Sequence, residues 1–469
     1  MQAAPSRPVA TPADLAGRRA VVLGLARSGV AAARFLARSG ASVTVYDRRS
    51  AAELTDAVAS LGGAPVRLAL GASPQDVTAL LAEADLVVTS PSISPRFPTT
   101  DAWLRRALTD AQARGTQLVS EVDLFLRLTP ARVLGVTGTK GKTTTTALLG
   151  AILERAGMPH LVGGNIGTPL VERGEELAPD GWAVLELSEL QLPTISRGAE
   201  LSLYTNITAD HLDRHGSVEA YRAVKWRLAR LARGPVVLNA DDPGCAELRD
   251  RLFGVSMHWY GLERGTARVE RGRLVLGERA LLAVDEVPLP GEHMLRNVLG
   301  AALAASLAGV QAEHIAAAIR DFPGVPHRLE TVGEWRGVRW VNDSQATIPD
   351  AAIAALRSFG ERPVVLIAGG SDKGLDYAAF ADEVARHARA AILIGETAGE
   401  VAERIGGRVP VERASDIDDA VRRAASAACP GDVVLLSPAA ASFDMFTDYA
   451  ARGDAFRSAA GRIGPEEAA

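Results

Sequence analysis

A chain of 469 residues, 47% hydrophobic and 23% charged, is too long for one ordinary domain and too apolar for disorder, so two to four packed domains are expected. Its net charge of −5 excludes the electrostatic footprint of a nucleic-acid or anionic-membrane binder, and its two distant cysteines, Cys245 and Cys429, provide neither a disulfide framework nor metal spacing. The opening MQAAPSRPVATPADLAG has no apolar core, and no uncharged apolar run reaches about 18 residues, so neither a signal peptide nor a membrane span is expected and the chain reads as cytoplasmic.

In chain order, RAVVLG (19–24) reads as a buried strand and ARSGVAAARFLARSG (26–40) as a helix with Val30, Ala33, Phe35 and Leu36 on its apolar face. SVTVYD (42–47) and ADLVVTSPSISP (84–95) follow as strands, the second running into a proline-rich loop. This is a parallel βαβ sheet. RVLGVTG (132–138) opens a second unit, with further strands at WAVLELS (182–188), LSLYTNI (201–207) and PVVLNA (235–240). One helix is expected over VEAYRAVKWRLARLARG (218–234), and strands between 253 and 290 look antiparallel, as in a side sheet. A third unit holds VRWVNDS (338–344), PVVLIAGG (363–370), AAILIG (390–395) and DVVLLSP (432–438). The expected organisation is three α/β domains: a Rossmann-like domain over 1–120, a P-loop ATPase-like domain over 121–324 and a Rossmann-like domain over 325–469.

LGVTGTKGKTTTT (134–146) carries the clearest chemistry. A phosphate loop needs glycines that turn backbone N–H groups toward phosphate oxygens, a lysine for the β- and γ-phosphates, a hydroxyl for magnesium and a helix N-terminus behind them. Gly138, Gly141, Lys142 and Thr143 supply these parts in order. The commonest form of the loop has a glycine five residues before Gly141, where this chain has Val136. The first domain offers a contrast. GLARSG (24–29) with Asp47 at the end of the next strand suggests a dinucleotide site, but Ala26 stands where the second glycine belongs. A nucleotide-like ligand at those strand ends fits better than a redox cofactor.

Three further residues stand out. Glu186, between Leu185 and Leu187, is either a solvent-facing glutamate or a magnesium carboxylate. NITADHLDRHGS (206–217) packs two aspartates and two histidines into a turn, without a second ligand pair at metal spacing. Lys225 sits at the edge of the stripe Tyr221, Val224, Leu228 and Leu231, where a snorkelling lysine and a buried one are both open readings.

Taken together, GTKGKTTT, GGNIG (163–167), LELSELQL, NITADHLDRH, YRAVK (221–225), LNADD (238–242), GVPHRLE (324–330), VNDSQAT (341–347), GGSDKG (369–374) and LSPAAASFDMF (436–446) resemble, in order, the motifs of the Mur ligases, the ATP-dependent amino-acid ligases of peptidoglycan synthesis. VNDSQAT and LSPAAASFDMF look most like the branch that adds D-glutamate. The resemblance implies ATP and two magnesium ions as cofactors, and UDP-N-acetylmuramoyl-L-alanine and D-glutamate as substrates of a monomeric enzyme. It implies an acyl phosphate on the L-alanine carboxylate, attacked by the D-glutamate amine, with catalysis mainly by positioning and charge neutralisation.

By position, the resemblance assigns Lys142 to the phosphates, Thr143 and Glu186 to the first magnesium, and His211 to the second. It makes Lys225 a carbamylated lysine near the cations. Gly138, Thr139, Lys140, Gly141 and Thr144 complete the loop. Asn297, Arg328 and Asp343 hold the nucleotide, Asp343 at the ribose. Arg27, Ser28, Asp47 and Arg48 take the uridine part, and Asn165 and Ser188 face the uridine-nucleotide substrate or the metal. Thr347, Lys373, Ser442 and Tyr449 hold D-glutamate.

The chain also departs from the pattern: Met294 replaces a frequent asparagine, Gln345 a lysine, Ser92 a glycine, and Glu189–Leu190 the usual Ser-Phe. Three readings compete. A ligase of the same superfamily with another amino acid, or a folate polyglutamate ligase, would differ in the third domain. A P-loop regulator would not need Lys225 beside His211. A dehydrogenase would need the missing glycine.

Overall fold

Residues 9–208, 215, 217–289, 291–372 and 374–466 are described by the structure, a computed structural model. Five strands, β1 (Arg19–Leu23), β2 (Ser42–Asp47), β3 (Val66–Leu70), β4 (Leu86–Thr89) and β5 (Gln117–Ser120), form a sheet in the order β3-β2-β1-β4-β5, parallel throughout. The central strands are apolar runs because both faces are covered: Leu23, Val45, Leu86 and Val87 are fully buried.

The second sheet has nine strands: β6 (Arg132–Thr137), β7 (His160–Gly164), β8 (Trp182–Glu186), β9 (Leu201–Tyr204), β10 (Val236–Asn239), β11 (Met257–Tyr260), β12 (Ala267–Glu270), β13 (Arg273–Leu276) and β14 (Arg279–Ala283). Their order is β14-β13-β12-β11-β10-β9-β6-β8-β7. The expected side sheet is therefore not separate. β11 joins β10 in parallel register, and β12–β14 extend the same sheet, the last two pairings antiparallel. Tyr260 explains the attachment: it is fully buried, and its hydroxyl donates to the Tyr204 carbonyl at 2.9 Å, tying β11 to β9 across β10.

The single helix expected over 218–234 is also corrected. It is two pieces, Val218–Lys225 and Arg227–Arg230. The buried Tyr204 hydroxyl inserts between them, donating to the Lys225 carbonyl and accepting from the Ala229 amide, both at 2.8 Å. A side chain lodged in the i→i−4 ladder breaks a helix where it enters.

The third sheet comprises β15 (Glu330–Trp335), β16 (Val338–Asn342), β17 (Val364–Gly369), β18 (Ala388–Ile394), β19 (Val411–Arg413) and β20 (Val433–Leu436), ordered β15-β16-β20-β17-β18-β19. Only β15 runs antiparallel to its neighbour.

Tertiary contacts divide the chain into two units, 1–322 and 323–469. The first two sheets share the first unit, and one apolar core runs from Val22 and Phe35 through Val122 and Phe125 to Leu161 and Leu170. The second unit has its own cores on either face of its sheet, around Leu366 and Phe380 and around Trp340 and Phe456. No helix among the described residues is long and apolar enough to cross a membrane.

Candidate active site

The phosphate loop lies between β6 and the helix Lys142–Arg155. Gly138 has φ +150° and Gly141 has φ +83°, and neither position has room for a side chain: a Cβ on Gly138 would lie 1.9 Å from Thr205 Oγ1, and one on Gly141 2.3 Å from Asn297 Oδ1. The second contact brings Asn297, from the helix Glu292–Leu307, against the loop. The segment after β9 grips the loop from the other side. The Thr139 amide donates to the Asn206 carbonyl at 2.9 Å. The Asn206 side chain accepts from the Lys140 amide at 2.9 Å and donates to the Lys140 carbonyl at 3.0 Å. Thr205 Oγ1 donates to the same carbonyl at 2.6 Å, and Thr139 Oγ1 meets the Tyr221 hydroxyl at 3.0 Å. Lys142 folds over the loop, its Nζ donating to the Thr139 carbonyl at 2.8 Å. Thr143 and Thr144 are buried in the first helical turn. A helix N-terminus behind a glycine turn concentrates backbone N–H groups and the positive end of the helix dipole where an anion can sit.

Glu186 ends β8, which lies beside β6 with Glu186 level with Val136. Both faces of β8 are covered, so the solvent-facing reading is excluded: Glu186 is 1% exposed. Its Oε1 accepts from Asn165 Nδ2 at 2.9 Å, and the Asn165 amide donates to the Glu186 carbonyl at 2.9 Å. Its Oε2 is buried with no hydrogen-bond partner. A buried carboxylate oxygen without a donor is costly unless a cation takes it. The donor set beside a phosphate cradle, one carboxylate and the Thr143 hydroxyl, fits a hard, oxygen-seeking ion such as magnesium. Ser188 is buried and donates through its amide and hydroxyl to Gln191 Oε1 at 3.0 and 3.1 Å.

Lys225 is not at the edge of a buried face; it is fully buried. The helix break set by Tyr204 comes directly after it. Its Nζ donates to the Gly138 carbonyl at 2.9 Å, lies 5.4 Å from the Tyr221 ring centroid, and is 3.9 Å from Glu189 Oε2. Glu189 is itself buried. His211 and Lys373 lie outside the described residues.

At the strand ends of the first sheet, Arg27 and Ser28 open the helix Arg27–Arg38. Asp47 is engaged by the protein itself. It accepts from the Leu25 amide at 2.9 Å and from the amide and guanidinium of Arg49 at 3.0 Å. Burial opposes its ionisation, but the Arg49 and Leu25 hydrogen bonds outweigh burial and hold the carboxyl down at about 2. Arg48 is exposed beside it.

In the second unit, Asp343 follows β16. Its carboxylate accepts from Ser437 Oγ at 2.8 Å and the Leu329 amide at 3.1 Å. Burial still pushes it up to about 7, against those hydrogen bonds and the nearby Arg328. The turn before β15 carries His327 at φ +62° and Leu329 at φ +47°, and it presents the Leu329 amide to Asp343. Ser442 is buried, Thr347 half-buried and Tyr449 partly exposed. The carbonyl of Tyr449 accepts from Ser344 Oγ at 2.7 Å. Among the departures, Met294 Sδ accepts from Asn297 Nδ2 at 3.8 Å, and Gln345 Oε1 is buried without a partner.

Several structural contributors lie outside the sequence-based site. Asn206, Thr205 and Tyr221 hold the phosphate loop, and Gln191 holds Ser188; Asn206, Tyr221 and Gln191 fall inside the quoted motifs, and Thr205 only inside the expected strand 201–207. Arg452 is 1% exposed and donates to Ser344 Oγ, Ser344 O, Ala440 O and Ala441 O at 2.9–3.1 Å, joining VNDSQAT to LSPAAAS. Burial without a contacting carboxylate lowers this guanidinium to about 10. An arginine in a C-terminal helix pattern carries no signal of that role.

The chain matches the models of the Mur ligase MurD-like N-terminal domain over 18–119, the Mur ligase middle domain over 136–305 and the Mur ligase glutamate ligase domain over 327–440. It is 42% identical to the UDP-N-acetylmuramoylalanine–D-glutamate ligase of Solibacter usitatus, over 97% of this chain and 100% of that protein. It is also 42% identical to the same ligase of Pelotomaculum thermopropionicum, over 95% and 97%. Among solved structures it shares its fold with the UDP-N-acetylmuramate-alanine ligase of Thermotoga maritima, at a TM-score of 0.57, 18% identity and coverage of 95% and 100%. With three domain models in order and relatives aligned end to end, the chain belongs to the Mur ligase family.

Proposed function

We propose that the protein is an ATP-dependent ligase that joins D-glutamate to the L-alanine carboxylate of UDP-N-acetylmuramoyl-L-alanine, in peptidoglycan precursor synthesis. The observation that carries the reading is the partnerless Oε2 of buried Glu186 beside a glycine-lined phosphate loop. It is joined by the shared length with ligases of that name. The substrate carboxylate attacks the γ-phosphorus of ATP, and the bond to ADP breaks. The D-glutamate amine then attacks the acyl carbon, phosphate leaves, and the amine loses a proton.

In this reading the N–H groups of residues 138–143 and Lys142 hold the phosphates, and Asn297 braces the loop at Gly141. Thr143 and Glu186 hold the first magnesium. By the family resemblance, His211 and a carbamate on Lys225 would hold a second. Magnesium, when bound, neutralises phosphate charge and favours attack at phosphorus. Asn165 keeps the Glu186 carboxylate oriented. Arg328 and Asp343 bind the nucleotide, Arg27, Ser28 and Arg48 the uridine part, and Thr347, Lys373, Ser442 and Tyr449 the amino acid.

The test is phosphate release from ATP and magnesium with UDP-N-acetylmuramoyl-L-alanine, offering D-glutamate, L-glutamate, L-lysine and diaminopimelate in parallel. Release with D-glutamate alone is expected. Release with another amino acid keeps the ligase chemistry and rejects the substrate; release with none rejects the reading.

A further inference from the structure

Three polar residues at the start of the helix Glu121–Leu128, namely Ser120, Glu121 and Asp123, are buried at 0%, 4% and 0% exposure. They follow β5 of the first sheet, yet their side chains bond to stretches that follow strands of the second. Glu121 accepts from the Val171 amide at 3.0 Å and from the Leu170 amide. Asp123 accepts from the Ser196 amide at 2.6 Å and the Ser196 hydroxyl at 2.8 Å, and its other oxygen accepts from Arg127 at 2.9 Å. Ser120 Oγ and Thr194 Oγ1 are 2.7 Å apart, and Thr194 donates onward to the Gln191 carbonyl at 2.7 Å. Residues 170–171 lie beyond β7 and residues 194–196 beyond β8, outside any strand, so their backbone N–H groups need acceptors from elsewhere.

These two stretches flank Glu186. On one side, Leu170 packs against the β7 end so closely that a Cβ on Gly163 would lie 2.5 Å from Leu170 Cγ, and one on Gly164 2.3 Å from the Glu186 carbonyl oxygen. The next residue is Asn165, whose amide and side chain both bond to Glu186. On the other side, Gln191 holds Ser188, two residues after Glu186. We infer that Ser120, Glu121 and Asp123 are positioning residues for the reaction: from the first sheet they brace both stretches, and so fix the Asn165–Glu186 pair with Glu186 Oε2 turned to the metal. The inference rests on the reading of Glu186 as the magnesium carboxylate. Arg34 and Arg38 add ion pairs to Glu172 at 3.2 and 3.7 Å, but pairs made by arginines this exposed contribute little, and the buried groups carry the effect. The Leu170 and Val171 amides require an acceptor oxygen rather than a charge. Glu121→Gln keeps that acceptor, and Glu121→Leu removes it at similar volume, so that the stretch turns toward water instead. The phosphate loop is held separately, by Thr205, Asn206 and Tyr221.

Two measurements test this on the full chain. The first needs no ligand: amide hydrogen exchange across 163–173 is expected to be at least about tenfold faster in Glu121→Leu and at wild-type rates in Glu121→Gln. Wild-type protection in Glu121→Leu overturns the inference. The second follows manganese(II) by electron paramagnetic resonance in the presence of a non-hydrolysable ATP analogue. Glu121→Leu is expected to bind manganese at least about fivefold more weakly at unchanged stoichiometry and unchanged analogue affinity, with Glu121→Gln within about twofold of wild type. Fewer sites at unchanged affinity, the mark of a residue that only stabilises the fold, overturn the inference, as does wild-type affinity. Thr194→Val removes one hydroxyl at the opposite end of the brace and repeats the test should Glu121→Leu not fold: weaker manganese binding is expected, and wild-type binding overturns the inference. Glu186→Gln is the control. Wild-type manganese affinity in that variant rejects the metal-carboxylate reading itself, and the inference with it, a separate outcome.

Discussion

Glu186 shows how one atom carries functional information. Asn165 satisfies Oε1, and burial on β8 leaves Oε2 without a donor. Glu186→Gln keeps the Asn165 contact and removes the charge. Phosphate release is expected to fall by at least about a hundredfold, the scale seen when one electrostatic partner of a transferring group is removed. The melting temperature is expected to hold or rise, because an unpartnered buried anion is itself a cost. A variant that melts far below the wild type would make Glu186 a structural residue. Gly138 and Gly141 act at the same scale: each is glycine because another residue occupies the space of its side chain. The motif placed the glycines, but their neighbours Thr205 and Asn297 come from distant segments.

At the scale of elements, the site depends on where strands end and where one helix is interrupted. The register of β6 against β8 and β9 brings Glu186, Thr205 and Asn206 to the phosphate loop. Tyr204 then splits the helix after Lys225 by standing between the Lys225 carbonyl and the Ala229 amide. Tyr204→Phe removes both hydrogen bonds and leaves two buried backbone groups to rejoin or go unpaired. A loss of about 1–3 kcal/mol is expected in denaturant unfolding, with reduced ligase activity as Lys225 shifts. Activity and stability equal to wild type would show that the break does not position the lysine. Apolar periodicity ran straight through 218–234, and only the cross-strand tyrosine explains why the helix does not.

Across the whole molecule, two buried carboxyls set a pH trend. Burial pushes Glu121 up to about 7, against hydrogen bonds from the Val171 and Leu170 amides, and Asp343 to about 7 as well. An acid whose pKa is raised on folding binds a proton that the unfolded chain releases. Its contribution is complete below the unfolded value, near 4, and is lost as pH rises to about 7. The shifts correspond at most to about 3 kcal/mol for Glu121 and about 4.5 kcal/mol for Asp343. Asp47, held at about 2, acts oppositely: its contribution is present above about 4 and lost toward pH 2. Thermal melting of the wild type is therefore expected to weaken from pH 5 to pH 8 more than that of the Glu121→Gln/Asp343→Asn double variant. Parallel profiles would remove these two carboxyls as the cause.

Much of the architecture was legible because apolar runs bounded by glycines give buried parallel strands, and because a glycine-lysine-threonine turn has few physical uses. The sequence by itself determined the three sheets' main strands, the phosphate loop and the family motifs. The placement of β11–β14 in the central sheet was decided by Tyr260 hydrogen bonding across to β9, which strand spacing cannot reveal. Only tertiary structure decided the state of individual charges. It left Glu186 one oxygen short of a donor, turned both Asp47 oxygens inward, buried Lys225 completely and set it against Glu189. A motif records which residue types are near in the chain. Desolvation and pairing depend on which distant segments close over them.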